Sequence, residues 1–113
     1  MNDTLSYLPL REPTFYILLS LSPGPKHGYG ILKEVEALSE GRVMLSTGTL
    51  YGAIKRLLDS DWIKRVNDPL PNGTERERKA YALTEQGRRV LNAEIQRLEK
   101  LVSVAQIQAE ETS

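Results

Sequence analysis

The chain has 113 residues, of which 40% are hydrophobic and 27% are charged, and its 15 basic and 15 acidic side chains cancel. This length is enough for one compact domain and short for two. The chain has no cysteine, which excludes disulfides and thiolate metal sites, and only one histidine, His27. Because groups for nucleophilic or metal chemistry are so few, we expect no metal, no cofactor and no enzymatic activity.

The sequence carries no feature of a membrane or secreted protein. Its longest apolar run, Phe15–Leu19, has five residues, whereas a membrane-spanning helix needs about 20. The first residues lack the basic region followed by an apolar stretch that marks a secretory signal. We therefore expect a cytoplasmic protein without a membrane partner.

Positive charge is concentrated in the middle of the chain. Residues 42–89 carry ten basic and six acidic side chains, while residues 1–41 and residues 90–113 each have two more acidic than basic side chains. A basic middle is typical of a local phosphate-facing surface, although such a distribution also arises by chance.

The first part of the chain has the pattern of two helices separated by a turn. Pro13 suits the first turn of a helix, and the nearly all-round apolar sequence after it predicts a buried helix from about Thr14 to Leu21. The prolines and glycines of residues 22–30 end this helix. A second helix is predicted from about Tyr29 to Leu38, followed by a very short strand at residues 43–45. The inward-facing residues of the second helix are Ile31, Leu32, Val35 and Leu38.

A third amphipathic helix begins the stretch STGTLYGAIKRLLDSDWIKR, residues 46–65. Its apolar side carries Leu50, Ile54, Leu57 and Leu58, and its polar side carries Thr49, Gly52 and Arg56. Ser46 or Thr47 can cap the helix start. Small, hydroxyl and cationic side chains suit the major groove of DNA, where a helix meets phosphates and base edges. The alternative is an ordinary amphipathic helix with a solvated polar face.

Two strands are predicted after the third helix, at residues 62–66 and residues 79–83, because apolar and polar side chains alternate in both. They are joined by NDPLPNGTERER, a charged loop that is longer than a tight turn. Three helices followed by such a hairpin form a winged helix-turn-helix domain.

Cationic side chains lie at the end of the wing loop, namely Arg76, Arg78 and Lys79. They could reach phosphates or the minor groove beside the third helix. The alternative is a solvated loop in which Glu75 and Glu77 partly cancel these charges. The loop by itself does not decide between the two.

A long last helix is predicted from about Glu85 to Glu110, with Thr84 as its cap. Its apolar residues follow the spacing of a heptad seam: Leu91, Ile95, Leu98, Val102, Ala105 and Ala109, widened by Leu101. At 1.5 Å per residue this helix would be about 39 Å long, more than a small winged domain can cover. We therefore assign dimerisation to Leu91, Ile95, Leu98, Leu101, Val102 and Ala105. The alternative is that the stripe packs only on its own domain.

The motifs HGYGILKEVE, STGTLYGAIKRLLDSDWIKR and RKAYALTEQGRRVL occur in this order and together resemble the PadR family of bacterial transcriptional regulators. The resemblance covers about residues 13–105 and is greatest to the short subfamily with a single C-terminal dimerisation helix. It departs from the family pattern at Gly52, because a proline usually follows GTLY. The resemblance implies a winged-helix homodimer that binds operator DNA, most often represses transcription, and often loses DNA affinity when a small molecule binds.

The resemblance also carries site residues over to this chain. Ser46, Thr47, Thr49, Tyr51 and Lys55 fall on the recognition helix, Arg78 and Lys79 fall on the wing, and the helical wheel adds Arg56. Family effectors tend to be small aromatic acids or hydrophobic cationic drugs. Trp62, the only tryptophan, is either a core residue or an aromatic platform for such an effector.

The sequence thus predicts a mainly α fold with a small β-hairpin. A winged helix-turn-helix DNA-binding domain is expected in residues 1–83, and a dimerisation helix and tail in residues 84–113. The predicted function is that of a repressor that binds near-palindromic, double-stranded operator DNA as a homodimer and can be released by a small hydrophobic or aromatic effector. The alternative is a winged-helix protein-interaction module without specific DNA binding.

Overall fold

The structure, a computed structural model, describes residues 6–67 and 79–112. Its elements are α1 (Glu12–Ser20), β1 (Lys26–His27), α2 (Gly28–Leu38), α3 (Thr47–Asp59), β2 (Ile63–Asn67), β3 (Lys79–Leu83) and α4 (Glu85–Thr112). Three helices, a small antiparallel sheet and a long C-terminal helix confirm the predicted winged helix-turn-helix fold. The loop between β2 and β3 lies outside the described residues.

The sheet has three strands rather than the predicted two. Its order is β1-β3-β2, and both pairings are antiparallel. The strand β1 was missed because its two residues lie among prolines and glycines and are too short to show an alternating pattern. In the observed register Tyr81 pairs with Lys26 on one side and with Arg65 on the other. These three side chains therefore share one face of the sheet.

The core joins α1, α2, α3, the sheet and the first part of α4. Its buried members include Ile17, Leu18, Leu21, Ile31, Val35, Leu50, Ile54, Leu57, Ile63, Tyr81, Val90 and Leu91. The helix α1 begins two residues before the predicted start, with Pro13 in its first turn. Leu38 was predicted to face inward, but 40% of it is exposed because it is the last residue of α2.

The connection between α2 and α3 contains no strand, so the strand predicted at residues 43–45 is wrong. No described strand pairs with this segment. Val43 and Leu45 are partly buried against the core, whereas Met44 between them is 70% exposed. The backbone N–H of Val43 instead donates to Ser39 Oγ at 2.9 Å. The apolar pattern of these residues therefore reflects packing and not strand pairing.

The start of α4 is held tightly against the turn between α3 and β2. Thr84 Oγ1 accepts from the Gly87 N–H at 2.9 Å, which confirms Thr84 as the cap, and donates to the Asp61 carbonyl at 2.6 Å. A Cβ at Gly87 would overlap the Trp62 carbonyl oxygen and lie 2.8 Å from its carbon. Only glycine therefore allows the two backbones to approach this closely.

The N-terminal arm lies across α4 and the core. The Leu10 N–H donates to Glu94 Oε2 at 3.0 Å, and Arg97 donates to the same carboxylate at 2.6 Å and 3.0 Å. Hydrogen bonding from Arg97 holds the pKa of the buried Glu94 below its usual range, against the opposing effect of burial. Farther along the arm, Tyr7 makes an edge contact with the Trp62 ring, with ring centroids 5.1 Å apart.

The helix α4 has an inner part and an outer part. Val90, Leu91 and Glu94 are buried against the core, whereas every residue of α4 from Leu98 to Glu111 is exposed. None of the described helices is long and apolar enough to cross a membrane.

Candidate nucleic-acid interface

The start of α3 is fixed by a side-chain cap. Ser46 has extended backbone angles, and its Oγ accepts from the Thr49 N–H at 3.1 Å. The same Oγ donates to Thr49 Oγ1 at 2.9 Å, so both hydroxyls are held at the helix start. This geometry selects Ser46 over Thr47 as the capping residue.

The two faces of α3 divide as the helical wheel predicts. The buried side consists of Leu50, Ala53, Ile54 and Leu57. The exposed side presents Ser46, Thr47, Gly48, Thr49, Lys55 and Arg56. A Cβ at Gly48 would meet no atom within 4 Å, and the Arg56 guanidinium lies 3.7 Å from the corresponding position at Gly52. The exposed face is therefore small at its start and cationic farther along.

Tyr51 joins α3 to α2. A Cβ at Gly28, the first residue of α2, would overlap the Tyr51 hydroxyl and lie 2.9 Å from Tyr51 Cζ. The ring is nevertheless 46% exposed. Tyr51 therefore sets the distance between the two helices and still presents one edge at the predicted interface.

A groove of 550 Å³ lies between α3 and the sheet. Its lining residues are Tyr51, Ile54, Lys55, Leu58, Asp59, Arg65 and Tyr81. Arg65 is the residue that the sequence reasoning did not select for this site. The signal was present, because alternation along β2 places Arg65 on the same face as the buried Ile63 and opposite to Lys64.

The cations of this surface have no ion-pair partner among the described residues. Lys55, Arg56 and Arg65 form no ion pair with any residue in the described part of the chain. Other arginines are paired: Arg42 with Glu12, Arg89 with Glu85, and Arg97 with Glu94. Unpaired cations on one surface leave their charge available to an external anion.

The remaining predicted site residues lie elsewhere. Lys79 is exposed at the start of β3, whereas Arg78 and the neighbouring Arg76 lie outside the described residues. Trp62 is 8% exposed, and its Nε1 has no hydrogen-bond partner among the described residues. The ring therefore belongs to the core beneath the arm, and its role in effector binding stays a prediction.

The predicted dimerisation residues divide between the inner and outer parts of α4. Leu91 is buried in its own core, and Ile95 is partly buried against it. Leu98, Leu101, Val102 and Ala105 are exposed. An apolar groove of 340 Å³ runs between α1 and α4 and is lined by Phe15, Ile95, Leu98, Glu99, Val102, Ser103 and Gln106.

Within the described residues, no cluster of three or more acidic or histidine side chains could hold a metal ion.

Known proteins similar to this chain include an uncharacterized 37.1 kDa protein of transposon Tn4556 from Streptomyces fradiae. The two are 33% identical over 85 residues, which is 75% of this chain and 22% of that protein. This chain therefore spans about a fifth of that protein's length.

Many solved structures share the fold, and two of them serve as examples. A transcriptional regulator from Clostridium thermocellum is 25% identical, with a TM-score of 0.65 and 94% of each chain covered. Bacillus subtilis PadR, whose structure is a complex with operator DNA, is 24% identical with a TM-score of 0.62, over 74% of this chain and 46% of that chain. The sequence itself matches the transcriptional regulator PadR-like family over residues 17–93, well over half of the chain. The chain therefore belongs to the PadR-like family of transcriptional regulators, as its three motifs predicted.

Proposed function

We propose that this chain is a transcriptional repressor that binds near-palindromic operator DNA as a homodimer, with α3 as the recognition helix. The observation that carries the proposal is the exposed face of α3. This face is capped by Ser46, is small at Gly48, and ends in Lys55 and Arg56, which form no ion pair with any described residue. No acidic residue occurs between Ser46 and Leu58, so nothing on this stretch would repel phosphates.

The comparison with Bacillus subtilis PadR supports the same conclusion. That protein is found in complex with operator DNA, and its fold matches 74% of this chain. A fold of this kind places the second helix of the helix-turn-helix in the major groove and the wing beside it. In this chain those elements are α3 and the hairpin of β2 and β3, with Lys79 at the base of the wing.

Dimerisation would be supplied by the outer part of α4. In this proposal residues 1–83 bind DNA and residues 84–113 hold the dimer, although the first turns of α4 pack on the DNA-binding domain. Leu98, Leu101 and Val102 are exposed without a described neighbour that covers them. A two-fold dimer would present two copies of α3 to half-sites about one turn of DNA, roughly 34–36 Å, apart.

Control by a small hydrophobic or aromatic effector is part of the proposal. An effector that binds better to a dimer with wrongly spaced recognition helices would weaken operator binding by that difference in affinity. Trp62 is the aromatic candidate for such a contact, and because it is buried, the Tyr7 contact would have to open first.

The test is selection of preferred duplexes from a random DNA pool, followed by salt titration of the selected duplex against a scrambled control. We expect a near-palindromic sequence, bound far more tightly than the control and increasingly weakly as salt rises. If no sequence is enriched and affinity stays weak at low salt, the surface binds protein instead. Operator binding should then be retested with the candidate effectors present.

A further inference from the structure

The groove between α3 and the sheet has a cation on each of two walls. Lys55 comes from α3 and Arg65 from β2, and the buried Tyr81, which pairs with Arg65 across the sheet, also lines the groove. Neither cation has an ion-pair partner in the described part of the chain. Two cations that line one groove, and that form no ion pair with a described residue, repel each other. An anion bound between them would offset this repulsion.

The charge of the groove suits a singly charged oxyanion. Asp59 also lines it, so its three charged residues sum to +1. A phosphodiester of the DNA backbone carries one negative charge, whereas a free phosphate at neutral pH carries more. The planar guanidinium of Arg65 can donate two parallel hydrogen bonds to phosphate oxygens, and the Lys55 ammonium can act as a point charge beside it.

We propose that this groove binds one phosphate of the operator backbone, held jointly by Lys55 and Arg65. This proposal rests on the proposed function, and it assigns different DNA contacts to the two cations of α3. Lys55 positions the protein on the backbone, while Arg56, which lies about 100° farther around the helix with its guanidinium near Gly52, is left for base edges. Arg65 becomes a DNA contact that belongs to neither the recognition helix nor the wing loop.

The first experiment measures the salt dependence of operator binding for Arg65→Ala and for Lys64→Ala. Lys64 is the matched control because it is an exposed cation on the same strand, on the opposite face of the sheet. In a plot of log affinity against log salt concentration, each lost phosphate contact makes the negative slope shallower by about 0.9. Arg65→Ala should therefore make the slope of a symmetric dimer, which loses two contacts, shallower by about 1.8. Its affinity should fall roughly tenfold to hundredfold, equally for the operator and the scrambled duplex. Lys64→Ala should change neither quantity by as much.

The second experiment replaces single operator phosphates by uncharged methylphosphonates. One position should weaken the wild-type protein but cause little further loss in Arg65→Ala, and the same position should behave in this way with Lys55→Ala. Arg65→Lys keeps the charge and should recover the slope but not the full affinity. Circular dichroism melting checks that each variant is folded, as expected for exposed side chains.

Four results would overturn the proposal. An unchanged slope for Arg65→Ala, in a wild-type protein that binds operator, would remove the phosphate site and leave the proposed function intact. Equal losses for Lys64→Ala and Arg65→Ala, or different phosphates for Lys55 and Arg65, would show a diffuse charge effect instead of a shared contact. A wild-type protein that binds no duplex would overturn the proposed function and this site together.

Discussion

At the scale of single residues, Glu94 shows how a buried charge can tie separate parts of a small fold together. Its carboxylate accepts from the arm at Leu10 and from the side chain of Arg97. A buried carboxylate is costly unless it is paired and hydrogen-bonded. The arm and α4 therefore depend on the ionised form of this one residue.

Glu94 should make stability depend on pH in the acid range. The pKa of Glu94 is lowered in the folded state from the usual glutamate value of 4.5. The ionised carboxylate therefore stabilises the fold fully at pH values above 4.5, and this stabilisation is lost as the pH falls through the lowered folded pKa. Urea unfolding at pH 7 should show Glu94→Gln less stable by roughly 1–3 kcal/mol. The difference from the wild type should shrink as the pH falls below about 4.5 and through the lowered folded pKa. Parallel stability curves over that range would contradict this assignment.

Gly87 should be intolerant of any side chain. A Cβ there would overlap the backbone of Trp62, which cannot move without breaking the turn into β2. We expect Gly87→Ala to lower the free energy of unfolding by about 1–3 kcal/mol. Gly48→Ala is the control, since its Cβ would lie in open space. This substitution should stabilise the helix by up to about 1 kcal/mol. Denaturant unfolding of both variants measures the contrast, and equal effects would contradict it.

At the scale of elements, α3 combines a fixed start with an unpaired cationic end. The cap at Ser46 orders the first turn, and that turn carries Thr49 toward the proposed major-groove surface. The order of the first turn therefore affects how the helix would meet DNA as well as how stable it is.

A loss of stability from removal of the cap is expected when Ser46 is replaced, and not when the neighbouring Thr47 is replaced. Ser46→Ala leaves the Thr49 N–H without its acceptor and should cost about 1 kcal/mol of stability. Thr47→Ala, at an exposed position that does not cap the helix, should cost less than about 0.5 kcal/mol. Chemical denaturation compares the two. A larger loss at Thr47 would mean that the capping residue has been misassigned.

Sequence periodicity was sufficient for elements that bury one face by themselves. The third helix and the hairpin strands follow from the positions of Leu50, Ile54 and the alternating residues of β2 and β3. It failed where pairing depends on distant residues, as in β1, whose two residues are ordered by β3. Alternation along β2 places Arg65 on the same face as Ile63, but the groove is formed by two elements, so this local pattern could not assign Arg65 to it.

At the scale of the whole molecule, the outer part of α4 is exposed from Leu98 to Glu111 and is not covered by any other described element. The molecule measures 59 × 37 × 23 Å, and α4, with 28 residues, is about 42 Å long at 1.5 Å per residue. Leu101 and Val102 are each 53% exposed on that part. Exposed apolar residues in such a row favour a protein partner, and a second copy satisfies them symmetrically.

Charges placed on this row should separate the proposed dimer. Leu101→Glu combined with Val102→Glu should give a monomer, because two carboxylates per chain would face each other across a two-fold seam. Asn92→Glu combined with Gln96→Glu adds the same charge at exposed positions nearer the core and should leave the dimer intact. Sedimentation equilibrium measures both. A dimer that survives the first pair of substitutions would place the interface elsewhere.

Because of the tight contact at Gly87, a rotation of α4 would carry the DNA-binding domain with it. From Gly87 to Val102 the helix rises about 22 Å, and its first turn cannot slide because the Trp62 backbone blocks it. In the proposed dimer, a change of about 10° in the angle at which the two α4 helices cross would rotate each helix by about 5° and shift each domain by about 2 Å, or the two domains by about 4 Å relative to each other. This relative shift exceeds the roughly 3.4 Å between base pairs, so a small change at the seam would alter the spacing of the two α3 helices by about one base-pair step.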